Sequence, residues 1–393
     1  MLAFIFAPFY ILVNAYLVFW VLRWTGACHS VFSTKGFRGA FIAVYAFIAL
    51  TPLTGFAIKS PHWLHRILKQ ISNYWFGWML YLALAVLLSE VVLLVVRKTR
   101  GKDFEQMQAV RRVQGGVALA AVCLVSFYGM AHAQTLQVTS YDVSIDKPGE
   151  NMTVALLADL HLGYSTDPAY IEKAAAVIND MHPDLVVLAG DLFDNEYDAV
   201  PEPERVAAAL HSIKSTYGTY GVWGNHDVSE AILAGFTWNK ADANKWDARM
   251  DALAEKMGIT MIDEETVTLP NGVQLIGRAD RSRAKKISEN RKTPEQALAE
   301  ADRTKPVFVL EHEPGQLDEL AGAGTDLHLA GHTHDGQMFP GNLAIKLMWE
   351  NPCGHLEKDG MDSIVTSGLG VWGPDMRVGT KSEVVRINVS FDG

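Results

Sequence analysis

Cysteine is scarce in this sequence, and acidic residues are nearly absent from its first third. The 393 residues include only Cys28, Cys123 and Cys353, which show no paired spacing. This scarcity argues against a disulfide framework and against a cysteine-rich zinc site. Residues 1–133 hold three of the 44 Asp and Glu residues, although the whole chain has a net charge of -10. The acidic remainder lacks the basic face that nucleic acids bind, so no nucleic-acid role is expected.

Long apolar runs fill the part of the chain that lacks acids. Four of them are close to the roughly 20 residues that a helix needs to cross a bilayer. They are Leu2–Leu22, Gly39–Ile58, Tyr74–Val96 and Val113–Met130. We therefore predict an all-α membrane region of four transmembrane helices in residues 1–133 and a separate domain in residues 134–393. A cleaved signal peptide is the alternative for the first run, but that run has no basic start and is long.

Loop charges predict the orientation of these helices. The loop between the third and fourth runs carries six basic residues, which are Arg97, Lys98, Arg100, Lys102, Arg111 and Arg112. By the positive-inside rule, this loop and the first loop are cytoplasmic. We expect a multi-pass protein of the cell (inner) membrane with its second domain outside the cytoplasm. The sequence Ala131-His132-Ala133 also resembles a small-residue cleavage site, which leaves release of that domain open.

Strand and helix patterns alternate after residue 134. Strand-like runs include Leu136–Ile145, Val154–Ala158, Leu185–Ala189, Tyr217–Val222, Val307–Leu310 and Leu327–Leu329. Helical spacing is found at Pro168–Met181, Pro201–Ile213, Trp246–Met257, Pro294–Ala301 and Pro314–Leu320. This alternation predicts an α/β domain with a parallel sheet and helices on its faces.

Polar clusters follow five of the predicted strands. They are Asp159-Leu-His161, Gly190-Asp191-Leu-Phe-Asp194, Gly224-Asn225-His226-Asp227, Glu311-His312 and Gly331-His332-Thr-His334. In open α/β sheets, the carboxyl ends of the strands line the binding crevice. We therefore expect these clusters to converge on one site, although they are far apart in the chain.

Seven side chains in these clusters form a mixed oxygen and nitrogen donor set without a thiolate. They are Asp159, His161, Asp191, Asn225, His312, His332 and His334. The set is too large for one tetrahedral ion with an open position, but it suits two ions about 3.5–4 Å apart with Asp191 as the bridge. Singly, each residue has an ordinary alternative, such as a helix cap for Asp191 or a turn for Asn225 and Asp227. Five clusters at five strand ends favour the metal site.

The clusters together resemble the signature of the calcineurin-like metallophosphoesterases. The motifs occur in the family's order, none is missing, and the resemblance covers roughly residues 150–390. The stretch Gly331–Gln337, with Gly368-Leu-Gly370 and Arg377 near the end, is similar to a bacterial subgroup with membrane-spanning amino-terminal segments. That subgroup often has Gly where Asp335 stands here. The fold implied is two packed sheets flanked by helices, with the metals at the sheet ends.

The resemblance also implies a role for each residue. The first ion takes Asp159, His161, Asp191 and His334, and the second takes Asp191, Asn225, His312 and His332. His226 faces the substrate as acid or charge stabiliser, and Asp227 orients His226. The two divalent ions would be Mn, Fe or Zn, because the donor set suits all three.

These inferences predict a membrane-anchored dimetal phosphoesterase. The expected reaction is hydrolysis of a phosphomonoester, phosphodiester or pyrophosphate bond by a metal-bound hydroxide. A lipid-linked or envelope phosphate is the expected substrate, on the ground of position alone. One alternative is a non-catalytic binding scaffold on the same fold, which the complete ligand set disfavours. Another is a transporter with a regulatory domain, which the scarcity of charges inside the apolar runs disfavours.

Overall fold

The computed structural model describes residues 2–100, 108–233, 236–238 and 246–392. By their contacts, these residues form two units. The first unit comprises the described residues within Met1–Ala131, Ala231–Asn239 and Gly373–Met376. The second comprises those within His132–Glu230, Lys240–Trp372 and Arg377–Gly393. The domain boundary predicted after Ala133 stays a prediction. All three cysteines are free.

Apolar helices make up most of the first unit. The helices of the amino-terminal region are α1 (Leu2–Cys28), α2 (Lys35–Ala49), α3 (Thr51–Ala57), α4 (His62–Arg100) and α5 (Gln108–Ala133). Three segments of them are long and apolar enough to cross a membrane, namely Phe6–Cys28, His62–Val96 and Ala109–Ala133. These segments correspond to the first, third and fourth predicted spans. Within this unit, Trp20 Nε1 donates to Glu90 Oε1 at 2.9 Å, so the acid inside the third predicted span has a partner.

The second predicted span is a bent pair of helices. The axes of α2 and α3 differ by 50°, so the described chain has a fourth span only if the pair counts as one. The break precedes Pro52, which lies in the first turn of α3. Proline lacks the N–H that a continuous helix requires there. Helix α4 begins at His62, before the third predicted span, and runs unbroken to Arg100.

The second unit holds two six-stranded sheets. Its strands are β1 (Leu136–Ile145), β2 (Met152–Leu157), β3 (Leu185–Ala189), β4 (Thr219–Val222), β7 (Thr260–Met261), β8 (Thr266–Thr268), β9 (Gln274–Gly277), β10 (Val307–Leu310), β11 (Leu327–Ala330), β12 (Gly354–Lys358), β13 (Met361–Val365) and β14 (Ser382–Phe391). The short pair β5 (Ile232–Leu233) and β6 (Phe236–Thr237) belongs to the first unit. The helices of the second unit are α6 (Pro168–Asp180), α7 (Pro203–His211), α8 (Ala248–Lys256), α9 (Arg281–Ile287), α10 (Pro294–Ala297), α11 (Leu317–Ala323) and α12 (Gly341–Met348).

Parallel pairing dominates the centre of both sheets. The first sheet has the order β1-β14-β2-β3-β4-β7, and the second has the order β12-β13-β11-β10-β9-β8. In the first sheet only the β14–β2 pair is antiparallel. In the second sheet only the two edge pairs, β12–β13 and β8–β9, are antiparallel. The predicted parallel sheet is therefore two sheets, as the family resemblance implied.

Side-chain alternation along the strands builds three apolar layers. In β2, Val154 and Leu156 point into a buried cluster that includes Phe308 and Leu329 of the second sheet. Leu157 points the other way, into a cluster with residues of α6, α7 and α8. A third cluster joins the outer face of the second sheet to α10 and α11. The domain is thus two packed sheets with helices outside. The parallel strands of both sheets end at the same site.

Candidate metal centre

Both sheets contribute side chains to one buried site at their carboxyl ends. Asp159 and His161 follow β2, Asp191 follows β3, and Asn225 follows β4. From the second sheet, His312 follows β10, and His332 and His334 follow β11. The predicted seven donors are therefore brought together, although they span most of the domain's sequence.

The first donor group consists of Asp159, His161 and His334. Their donor atoms lie within 4.8 Å of one another. The Nε2 atoms of His161 and His334 are 3.0 Å apart, and His334 Nε2 is 3.6 Å from Asp159 Oδ1. Three donors that converge this closely have room for one cation between them.

The second donor group consists of Asp191, His312 and His332, again with donor atoms within 4.8 Å of one another. His312 Nε2 lies 3.1 Å from Asn225 Oδ1 and 3.2 Å from His332 Nδ1. The Nδ1 atom of His312 meets the Ala189 carbonyl oxygen at 2.7 Å. That carbonyl can only accept, so Nδ1 carries a proton, and Nε2 is the ring atom that faces the other donors.

Asp191 faces both groups with one oxygen. Its Oδ2 lies 3.1 Å from His312 Nε2 and 3.7 Å from His161 Nε2. Its other oxygen, Oδ1, accepts the backbone N–H of His226 at 2.7 Å. The carboxylate is therefore held by the chain on one side and shared by the donor groups on the other, as expected of a bridging ligand.

The backbone at the site is unusual. Five of the seven donors have positive φ angles, which are 55° at Asp159, 45° at His161, 52° at Asp191, 73° at His332 and 51° at His334. Non-glycine residues avoid this left-handed region, and such residues cluster at functional sites. The fold therefore maintains a strained backbone that aims these side chains inward.

Two motif glycines allow the close approach. A Cβ at Gly224 would lie 2.2 Å from Asp191 Oδ1, and one at Gly331 would lie 2.8 Å from Asp159 Oδ2. Any larger residue at either position would displace a carboxylate of the site. These glycines therefore allow the turns to pack directly against the donors.

Burial and neighbouring charges set the protonation of the donors. Burial lowers the pKa of His161 and of His332 to about 3 each, so both rings are neutral at physiological pH. Burial works to raise the pKa of Asp191, but the imidazoles of His312 and His226 hold it well below its ordinary value. Burial likewise opposes protonation of His312, yet the Asp191 carboxylate raises its pKa well above normal.

The donor set fits divalent cations. Neutral imidazoles supply lone pairs, and an ionised carboxylate supplies charge, which is the chemistry that Mn, Fe and Zn share. Nδ1 of His161 is also buried without a hydrogen-bond partner among the described residues. Buried nitrogen atoms at about 3 Å from one another are costly unless a proton or a cation lies between them.

The comparisons with known proteins agree with this geometry. Residues 152–336 match the sequence model of the calcineurin-like phosphoesterases. The chain therefore contains a calcineurin-like phosphoesterase domain. A Helicobacter pylori (strain J99) protein named "Uncharacterized metallophosphoesterase" is 29% identical over 266 residues, which are 67% of this chain and 66% of that protein. The alignment thus spans just under two thirds of that relative's length.

Two further likenesses extend the comparison. A Danio rerio protein named "Transmembrane protein with metallophosphoesterase domain" is 25% identical and covers 83% of this chain and 74% of its own length. Among solved structures, the protein TT1561 of Thermus thermophilus aligns with 55% of this chain and 89% of its own, with 13% identity and a TM-score of 0.32. The sequence likeness therefore extends to a relative that is named for both membrane segments and a phosphoesterase domain.

Like the donors Asn225 and His332, and unlike the five buried donors, His226 is partly exposed. Its side chain is 18% exposed, whereas the His312 side chain is fully buried. The His226 ring lies 5.1 Å from the His161 ring, centroid to centroid. A ring that adjoins the donors and reaches solvent is placed to meet a substrate.

Asp227 was predicted to orient the His226 ring, but its carboxylate contacts other groups. Its carboxylate accepts the backbone N–H groups of Phe193 at 2.8 Å and Gly224 at 2.7 Å, not the His226 ring. Burial raises the pKa of Asp227 to about 8. The ring of His226 instead meets Asn195, with 2.5 Å between Nδ1 and Oδ1. Asp227 thus holds the turn that carries His226, and Asn195 orients the ring.

Sequence reasoning gave no role to Asn195 and noted Arg377 only as part of a resemblance. Asn195 follows the Asp191–Asp194 motif directly, which is the one signal that points to it. The buried Arg377 guanidinium donates to the carbonyl groups of Ser367 and Gly370 at 2.7 Å each and of His334 at 3.2 Å. Arg377 therefore ties a donor of the first group to the loop that packs behind β2.

Proposed function

We propose that this chain is a membrane-anchored phosphoesterase that uses two divalent cations to hydrolyse phosphomonoester, phosphodiester or pyrophosphate bonds. The observation that carries the proposal is Asp191 Oδ2, which lies within 3.7 Å of a histidine in each donor group. Asp159, His161, Asp191 and His334 would hold one ion, and Asp191, Asn225, His312 and His332 the other. The complete donor set favours an enzyme over a binding scaffold.

The chain's own residues supply the rest of the chemistry. When bound, the ions neutralise charge on the phosphoryl oxygens and lower the pKa of the attacking water. Asn195 Oδ1 accepts a hydrogen bond from the Nδ1–H group of His226, which leaves Nε2 for the substrate. His226 then stabilises charge at phosphorus or gives a proton to the leaving oxygen, a role worth about 10²–10⁴-fold in rate. No side chain is required to form a covalent intermediate.

Charge supports an extracytoplasmic domain in the cell (inner) membrane. The basic residues at the end of α4, in the loop that follows it and at the start of α5 are expected in the cytoplasm, and α5 then leads out of it. This orientation of the domain is expected whether α2 and α3 form one span or none, because only α5 separates that loop from the domain. A lipid-linked or envelope phosphate is the substrate class that this location favours.

Metal reconstitution tests the proposed activity. Full-length protein in detergent, stripped by a strong chelator, would be reloaded with Mn, Fe(II) or Zn and assayed on p-nitrophenyl phosphate, bis(p-nitrophenyl) phosphate and nucleotides. We expect turnover only after reloading. Asp159→Asn is the matched inactive control. Full turnover by protein shown to be metal-free, or no turnover on any ester with two ions bound, would contradict the proposal.

A reporter fusion tests the location. A reporter that works only outside the cytoplasm, fused after Gly393, should be active, and the same reporter fused within the loop between α4 and α5 should be inactive. Gly393 and the whole of that loop lie outside the described residues, so the expectation rests on sequence. The reverse pattern of reporter activity would place the domain in the cytoplasm.

A further inference from the structure

Exposed apolar side chains of the phosphoesterase unit concentrate in one short segment. Six large apolar side chains of this unit are exposed among the described residues, and they are Val138, Phe339, Leu343, Leu347, Met348 and Trp372. Four of the six lie within Phe339–Met348, where Leu347 is 90% exposed and Met348 is 72% exposed. Single exposed apolar residues are ordinary, but a contiguous patch marks an interaction site.

The composition of this segment suits a membrane surface. Helix α12 has the sequence Gly-Asn-Leu-Ala-Ile-Lys-Leu-Met, with one cation and no acid. Leu343 and Leu347 are four residues apart, so they lie on the same face of the helix. Lys346 is exposed beside them. Helices with exposed bulky apolar residues and basic residues lie in the interface of a bilayer, where Lys meets anionic head groups.

The chain also tethers this unit to a bilayer. Helix α5, long and apolar enough to span, ends at Ala133, and β1 begins at Leu136. Ala133 is buried, and its carbonyl accepts a hydrogen bond from Ser382 Oγ at 2.9 Å, within the phosphoesterase unit. The end of a span is therefore fixed to the first and last strands of the domain. Such a tether keeps the effective concentration of the membrane surface high.

One end of the segment contacts a donor of the candidate metal centre directly, and the other end is linked to it through the residue that follows Arg377. Just after α12, the Trp349 ring meets the His332 ring edge to face, with centroids 5.5 Å apart. At the other end, the backbone N–H of Phe339 donates to the Val378 carbonyl at 2.8 Å. Val378 follows Arg377, which donates to the His334 carbonyl. An apolar chain that lies along α12 therefore begins beside the donors.

We propose that α12 with Phe339 and Trp349 inserts into the bilayer surface and binds the acyl chains of a lipid phosphate, whose phosphate group occupies the metal centre. This inference rests on the proposed phosphoesterase activity and names its substrate class. The lipid is recognised by two features together, an anionic phosphate ester and a long apolar chain.

Paired substrates test the inference. Full-length protein in nanodiscs would be assayed on dioleoyl phosphatidate and dioleoyl phosphatidylglycerol, and on their deacylated forms, glycerol 3-phosphate and glycerophosphoglycerol. We expect kcat/KM at least tenfold higher for one of the lipids than for its deacylated form. Leu347→Glu should remove that preference and change p-nitrophenyl phosphate turnover less than twofold, and Leu347→Met should keep it.

The possible outcomes distinguish a failure of this inference from a failure of the proposed phosphoesterase activity. If wild-type protein hydrolyses p-nitrophenyl phosphate but prefers neither lipid, the acyl-binding role of α12 is wrong and the phosphoesterase stands. If it hydrolyses no ester with metal bound, the proposed function itself fails. A Leu347→Glu protein that keeps the full lipid preference would also overturn the role of α12.

Lipid photolabelling tests the insertion without any substitution. Full-length protein in vesicles of phosphatidylcholine and phosphatidylglycerol that carry a diazirine on the acyl chain would be irradiated and its peptides mapped. We expect acyl adducts on Gly341–Trp349 as well as on α4 and α5, and none on the exposed residues of α8. Labelled spans without adducts on α12 would overturn the inference and would leave a protein as the partner of this face.

Discussion

The Oδ2 atom of Asp191 lies 3.1 Å from Nε2 of His312, which joins a strand end of the first sheet to a strand end of the second. Neither sheet alone completes a donor group, since Asp159 and His161 meet His334 in the same way. Packing of the two sheets and assembly of the site are therefore one event. Substitutions in the core between the sheets should disturb metal binding as well as stability.

The first prediction separates His226 from the donors. His226→Ala should keep the metal content and the fold, because His226 is not among the seven proposed donors, although its ring also lies close to His161 and Asp194. Turnover of an alkyl phosphate should fall by about 10²–10⁴-fold. The loss should be smaller for a nitrophenyl ester, whose leaving group needs no proton. Turnover of both esters, with metal analysis in parallel, measures this.

Asn195→Ala is the companion variant for His226. It removes the acceptor at Nδ1 but leaves the ring, so its loss of turnover should be smaller than that of His226→Ala. Equal losses on activated and unactivated esters would exclude an acid role for His226. Loss of a bound ion in His226→Ala would instead make it a ligand.

The second prediction concerns Arg377. Arg377→Met removes the donor that four backbone carbonyls share. Hydrogen bonds to charged groups contribute about 1.5–3 kcal/mol each, so the variant should be less stable and at least tenfold less active. Arg377→Lys should recover part of both. The exposed Arg205, whose ion pair with Glu172 is worth little, gives the control variant Arg205→Met. Wild-type activity in Arg377→Met would rule out this positioning role.

The third prediction is a pH dependence of stability. Burial raises the pKa of Asp263 to about 7, whereas an unfolded Asp titrates near about 3.9. Between these pH values the folded protein keeps a proton that the unfolded chain releases. The contribution of Asp263 to the free energy of unfolding is therefore full below pH ~4 and is lost as pH rises through ~7. Because Asn does not ionise, Asp263→Asn should not lose this stability as the pH rises. Its thermal midpoint should exceed that of wild type by several degrees more at pH 8 than at pH 4.5.

The control for this pH dependence is Asp180→Asn, which changes an exposed carboxyl at the end of α6. Its thermal midpoint should follow that of wild type at both pH values. A constant difference between Asp263→Asn and wild type across the pH range would show that Asp263 is ionised in the folded protein.

Sequence patterns predicted the elements that are buried on both faces. The apolar run Leu185–Ala189 is β3 with the same bounds, and Val307–Leu310 is β10 with the same bounds. Strands of this kind carry their own signal, because every side chain must be apolar. The convergence of the donors was also predictable, since the motifs follow strands.

Other features depend on tertiary contacts that the sequence does not display. The helix α12 went unpredicted because its exposed apolar residues resemble neither a core helix nor a polar surface helix. Left-handed conformations at Asp159, His161 and His332 contradict local preference and are imposed by the fold. The contact of Asn195 with His226 joins two loops, so no spacing in the sequence encodes it.

The most direct test of the account is the metal content of two variants measured beside their activity. Asp191 faces both donor groups, whereas Asn225 meets only the second. Elemental analysis should find two ions in wild type and Asp180→Ala, more than one but fewer than two in Asn225→Ala, and the lowest content in Asp191→Ala, whose turnover should be abolished. An Asp191→Ala protein with two bound ions and near-normal turnover would contradict the shared site.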